Sequence, residues 1–115
     1  MSVLWAFTHF LNSAGYSVIR SPRGVYEGKN PDFLIQGKLF EGKSLFGLKN
    51  YEREYARQAI FNHIKKAKKQ ADNVILEIPA IVDRKTVYSA IKGYRMISSS
   101  KREIWVMWKN KLLKY

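Results

Sequence analysis

Apolar residues recur at helical spacing at Val3, Leu4, Phe7, Phe10 and Leu11, and Gly15 follows as a natural stop. The chain is therefore expected to open on an amphipathic helix. Residues 16–19 read as a short strand and residues 21–24, Ser-Pro-Arg-Gly, as a turn. Two strands are expected around Gly37, over residues 33–36 and 38–44. A long helix follows over residues 51–72, its apolar stripe made by Ala56, Ala59, Ile60, Ile64, Ala67 and Ala71. Asn50 suits its N-cap, Glu52 and Glu54 suit its first turn, and Lys65, Lys66, Lys68 and Lys69 load its last turns. Residues 74–78 form an apolar run short enough for a buried strand, ended by Pro79. Asp83 is placed to cap a second helix running to residue 91. The segment 102–115 reads as two strands joined near residues 109–111.

This order defines an α+β domain. It has an N-terminal helix, a central mixed or antiparallel sheet of about five to six strands, and a long basic helix packed on the sheet. No repeat or linker divides the 115 residues, which suit one domain spanning 1–115.

Charge changes the picture. Lys and Arg number 21 against 9 acidic residues, a formal charge of +12. Such self-repulsion calls for a polyanionic partner, and nucleic acid is favoured over an acidic protein. The chain has no cysteine, which excludes disulfides and thiolate metal sites. No apolar run approaches the roughly 18 residues of a membrane helix.

Residues 37–44, GKLFEGKS, fit the phosphate-loop pattern G-x-x-x-x-G-K-[ST]. Leu39 and Phe40 suit a strand better than a phosphate cradle, and Gly47 argues against a helix starting after Ser44. A two-residue turn at Gln36-Gly37 instead sets Ile35 against Lys38, Leu34 against Leu39, Phe33 against Phe40 and Asp32 against Glu41. Phe33, Ile35 and Phe40 then share one face; Asp32, Leu34, Leu39, Glu41 and Lys43 share the other. Two opposed carboxylates ask for a cation, which either Lys43 or a divalent metal can supply.

Beyond this face, Arg53, Arg57, Lys65, Lys66, Lys68 and Lys69 on the long helix, with Lys101 and Arg102, are candidate phosphate contacts. His63 lies on the same helix. In the strand after Arg102, Ile104, Val106 and Trp108 alternate with Trp105, Met107 and Lys109. One set is expected in the core, and a Trp on the other set is available to stack on a base.

Asn30-Pro-Asp32 followed by Glu41-Gly-Lys43 resembles the PD-(D/E)XK nuclease signature, as does the order helix, three strands, helix, strand. The resemblance implies that Asp32 and Glu41 bind a divalent metal such as Mg²⁺ and that Lys43 positions the attacking water. The Q-x-x-x-Y motif of some members is missing, since Asn62 follows Gln58 and Val74 follows Gln70 at that spacing.

A second resemblance covers nearly the whole chain: PDFLIQGKLFEGKS, the basic helix ending AKKQADNVILEIP, and IWVMWKNKLLKY. It is to C-terminal toxin domains of bacterial polymorphic and contact-dependent inhibition systems, many of which are RNases sharing the barnase, EndoU, colicin and RelE fold. That resemblance implies RNA cleavage, often of tRNA, without a metal cofactor, and a cognate, often acidic, immunity protein. It also implies that the chain is the C-terminal part of a larger secreted protein, acting in the cytoplasm of a target bacterium.

Metal-free chemistry needs a base for the 2′-hydroxyl, which Glu41 or His63 can provide, and a cation on the phosphate, which Lys43 can provide. The leading expectation is an RNA-cleaving toxin with catalytic candidates Asp32, Glu41, Lys43 and His63. The alternatives are a Mg²⁺-dependent PD-(D/E)XK nuclease acting on DNA and a non-catalytic nucleic-acid-binding module.

Overall fold

The structure is a computed structural model that describes the backbone of residues 3–20, 32–98 and 101–115, and the side chains among them except those of residues 3–7 and 20. The turn expected at 21–24, Asn30, Pro31, Ser99 and Ser100 lie outside the described residues.

Among the described residues nine elements follow one another: α1 (Val3–Ser13), β1 (Val18–Arg20), β2 (Phe33–Ile35), β3 (Lys38–Ser44), α2 (Arg53–Ala67), β4 (Asn73–Ile78), α3 (Arg84–Ile97), β5 (Ile104–Trp108) and β6 (Lys111–Lys114). The six strands form one sheet in sequential order. β1, β2 and β3 pair antiparallel, β3, β4 and β5 pair parallel, and β6 returns antiparallel to β5. The α+β expectation and the mixed sheet are borne out. Among the described residues no helix is long and apolar enough to cross a membrane.

Both parallel connections run through a helix, and α2 and α3 pack on one sheet face. There Ala56, Ile60 and Ile64 meet Val74, Leu76, Val87, Ile91, Ile104 and Val106 in one buried cluster. Successive crossovers of the same hand between neighbouring strands put their helices on the same side. The opposite face carries a second cluster, in which Leu11 of α1 meets Phe33, Ile35, Phe40, Ile75 and Trp105. The sheet is buried on both faces, so β4 and β5 read as continuous apolar runs rather than alternating ones.

Helix ends depart from expectation. α2 is capped by Glu52, whose side chain accepts from the Glu54 N–H, while Asn50 accepts from the Glu52 N–H at 2.7 Å one step earlier. α2 stops at Ala67, because the chain must turn through residues 68–72 to enter β4. Asp83 caps α3 as expected, accepting from Thr86 N–H at 2.7 Å, but α3 continues to Ile97. Both Trp residues of β5 are packed. Trp105 is buried against Phe40 and Tyr16, and Trp108 donates from Nε1 to the Val82 carbonyl at 2.8 Å.

Candidate active site

The β2–β3 turn builds the site. Gln36 and Gly37 both have positive φ (50° and 80°), the conformation of the two-residue hairpin whose twist matches its strands. The observed register pairs Phe33 with Phe40, Leu34 with Leu39 and Ile35 with Lys38, as the turn predicts. Phe33, Ile35 and Phe40 go into the core beneath α1. By alternation, Asp32, Glu41 and Lys43 face the α2 side.

Asp32 is fastened to β3 twice. Its N–H donates to the Phe40 carbonyl at 3.1 Å, and its Oδ2 accepts from the Gly42 N–H at 2.9 Å. Sequence reasoning missed this second anchor, although the register puts the Asp32 carboxylate within reach of the amide beyond Glu41. Glu41 is only 7% exposed. Its Oε2 lies 3.6 Å from Lys43 Nζ, and its Oε1 is buried with no hydrogen-bond partner among the described residues. Burial first, and the adjoining Asp32 carboxyl second, push the Glu41 pKa up to about 8 against the opposing pull of Lys43.

α2 brings His63 within electrostatic reach of Lys43. The imidazole is half-buried, and its pKa is lowered by burial first, then by the charges of Lys43 and Lys66. His63 is therefore neutral at physiological pH, with Lys66 one turn further along the helix. Asn62, Lys65, Lys66 and Lys69 line an adjoining open cleft on the helix surface. The structure thus gathers Asp32, Glu41, Lys43, His63 and a basic rim.

Other basic candidates lie elsewhere. Arg57 pairs with Glu54 within α2, and Arg53 lies 3.4 Å from Asp83 at the start of α3. Both line a cleft with Lys85, Thr86 and Ser89 at the seam between the helices, away from the His63 flank. Lys68 acts on Tyr94 of α3, again on that seam. Lys101 is exposed, beside the paired Lys38 and Glu103.

Arg102 is a correction. Expected as a phosphate contact, it is 4% exposed and donates to the Ile64 carbonyl at 2.7 Å, the Tyr94 hydroxyl at 2.9 Å and the Asp72 carbonyl. Its guanidinium is a tie between elements and is closed to a nucleic acid.

The residues present fit a divalent cation. A buried carboxylate oxygen without a partner, beside a second carboxylate, is the kind of orphan that an ion satisfies. Among the described residues no group of three or more acidic, His or Cys ligands occurs. Asp32 and Glu41 would hold a hard cation such as Mg²⁺ through carboxylate oxygens, and the cation would supply positive charge beside a phosphate.

Over residues 29–111, most of its length, the chain matches the family described as the contact-dependent growth inhibition CdiA C-terminal domain, and it belongs to that family. It is a toxin domain of interbacterial competition, of a kind that is generally a nuclease, carried on a larger secreted protein, delivered into target cells and matched by a cognate immunity protein. A comparison with curated proteins and one with solved structures each found no match.

Proposed function

We propose that this domain is a nuclease that cleaves RNA, tRNA foremost, in the cytoplasm of the target cell, at the face of β3 carrying Asp32, Glu41 and Lys43. The observation that carries the reading is the buried Glu41 carboxyl beside the Asp32 carboxyl, its Oε2 3.6 Å from the Lys43 ammonium and its Oε1 without a hydrogen-bond partner among the described residues. A module that merely binds polyanions gains nothing from a buried carboxyl beside a second one, since neither attracts phosphate. Asp32 and Glu41 would hold Mg²⁺, which when bound offsets charge on the scissile phosphate. Lys43 orients the attacking water and adds its own charge beside the phosphate. Lys65, Lys66 and Lys69 track the backbone from the site outward. RNA is favoured over DNA by the likeness to tRNA-cutting toxin domains.

A second reading is supported by His63. Held neutral beside Lys43, the imidazole is able to accept a proton from a ribose 2′-hydroxyl, a route open only on RNA and needing no metal.

The test is to incubate the domain with total RNA and with plasmid DNA, each with Mg²⁺ and with EDTA. The expected outcome is RNA cleavage abolished by EDTA and reduced at least about 100-fold by Glu41→Gln. Cleavage that survives EDTA and is lost in His63→Ala selects the second reading. No cleavage of either nucleic acid by the folded domain ends both.

A further inference from the structure

A further cavity lies at the carboxyl ends of β4 and β5, where open sheets with parallel strands commonly bind ligands. It measures about 310 Å³, and its walls include Phe10 of α1, Phe46 after β3, Glu77 of β4, and Met107, Trp108 and Lys109 at the end of β5. Phe46 is 59% exposed although its neighbour Leu45 is fully buried. A large aromatic ring left in water at the lip of a cleft is a ready stacking surface.

The wall chemistry is specific. Glu77 is the acid of this cleft, and it is held in place: Ser44 Oγ donates to its Oε1 at 2.8 Å, and Ser44 Oγ in turn accepts from the Phe46 N–H at 3.1 Å. Trp108 is fixed by its Nε1 bond to the Val82 carbonyl, and the Lys109 ammonium lies 4.5 Å from the centre of its indole ring. The cleft therefore combines a positioned acceptor, aromatic and thioether walls and a cation at the rim. In a protein of charge +12 whose ligand is a polyanion, Glu77 is unsuited to contacting phosphate. A carboxylate only accepts hydrogen bonds, so what it reads in a nucleic acid is a base edge rich in N–H donors.

Guanine fits best, because its N1–H and N2–H₂ groups present two parallel donors to one carboxylate. Only an unpaired base exposes that edge, as in the single-stranded regions through which proteins read RNA sequence. Phe46 follows Lys43 by three residues, in the turn past the end of β3, so the cleft on the α1 side and the site on the α2 side lie on opposite faces of the sheet about the same strand end. We propose that this cleft is a base-reading pocket that takes an unpaired guanine from the strand as it passes the end of β3, with Glu77 as its specificity-determining acceptor. The proposal rests on the nucleic-acid reading above.

The test measures binding apart from cleavage, in the full chain carrying Glu41→Gln. The four 5′-nucleoside monophosphates are titrated by calorimetry. GMP is expected to bind about tenfold more tightly than AMP, CMP or UMP, the discrimination a bidentate base contact supplies. Adding Glu77→Gln should bring the four within about threefold of one another. Adding Phe46→Ala, at an exposed position that folding does not need, should weaken GMP binding while thermal unfolding stays unchanged. Equal binding of all four nucleotides by the parent, or a guanine preference that persists with Glu77→Gln, overturns the pocket. Guanine binding by a domain that cuts nothing leaves the pocket and removes the nuclease reading. Cleavage with no base preference and no selective GMP binding does the reverse.

Discussion

Glu41 concentrates the tension in this molecule into one carboxyl. Its folded pKa of about 8 stands well above the ordinary 4.5, so the folded state holds a proton that the unfolded state has released between those values. Stability therefore falls as pH rises through that window, by up to about 1.4 kcal/mol per pH unit. Urea midpoints measured from pH 5 to pH 8 should show this fall, and Glu41→Gln should flatten it; equal slopes in both proteins would remove Glu41 as its source. Mg²⁺ should raise the melting temperature more at pH 8 than at pH 6, because the cation must displace the proton at the lower pH. Burial of Glu41 is the part of the site that the sequence leaves unread. Its residue type and its facing of Asp32 follow from strand alternation, but its exclusion from water depends on how α2 lies across β3, a tertiary fact. The same holds for His63, whose place beside Lys43 depends on the rotation of α2 over the sheet.

At the level of elements, the tie made by Arg102 matters most. One guanidinium joins the last turn of α2, the connection into β4 and the last turn of α3. Its backbone carbonyl also accepts from Arg95 at 2.6 Å, and Arg95 bonds the Tyr115 carbonyl at 3.0 Å, drawing in the C-terminal strand. Arg102→Met keeps the volume and strands two carbonyls and a hydroxyl. It should cost about 3 kcal/mol in urea unfolding, and a change under about 0.5 kcal/mol would refute the structural role. In the sequence, Lys101 and Arg102 are two adjacent cations with nothing to separate them; only closure of the α2–α3 seam buries one and leaves the other in water. Hairpins were legible for the opposite reason. The pairs Gln36-Gly37 and Lys109-Asn110 are local, and a two-residue turn fixes every pairing that follows. The extra turns of α3 to Ile97 were not, because Lys92, Gly93 and Arg95 look like a loop until Tyr94 and Ile91 are seen packing on α2.

For the molecule as a whole, charge and site are arranged together. The +12 charge supplies affinity for any polyanion, while the carboxylate pair stands at the proposed cleavage site. RNA binding by the Glu41→Gln domain should weaken steeply with salt. Replacing Lys65, Lys66 and Lys69 together by Ala should reduce the slope of log K against log salt by about two, counting roughly 0.7 per contact on a single strand. An unchanged slope would take that face of α2 out of the binding surface. The hairpin turn at Gln36-Gly37 bears on how such a toxin can diversify. Because side chains alternate along a strand, adding one residue to that turn and shifting the pairing by one would leave Asp32 and Glu41 on opposite sides of the sheet. The meeting of the two acids is thus a matter of parity. Loops elsewhere can lengthen by degrees, whereas this turn has only settings that keep the two acids together and settings that part them.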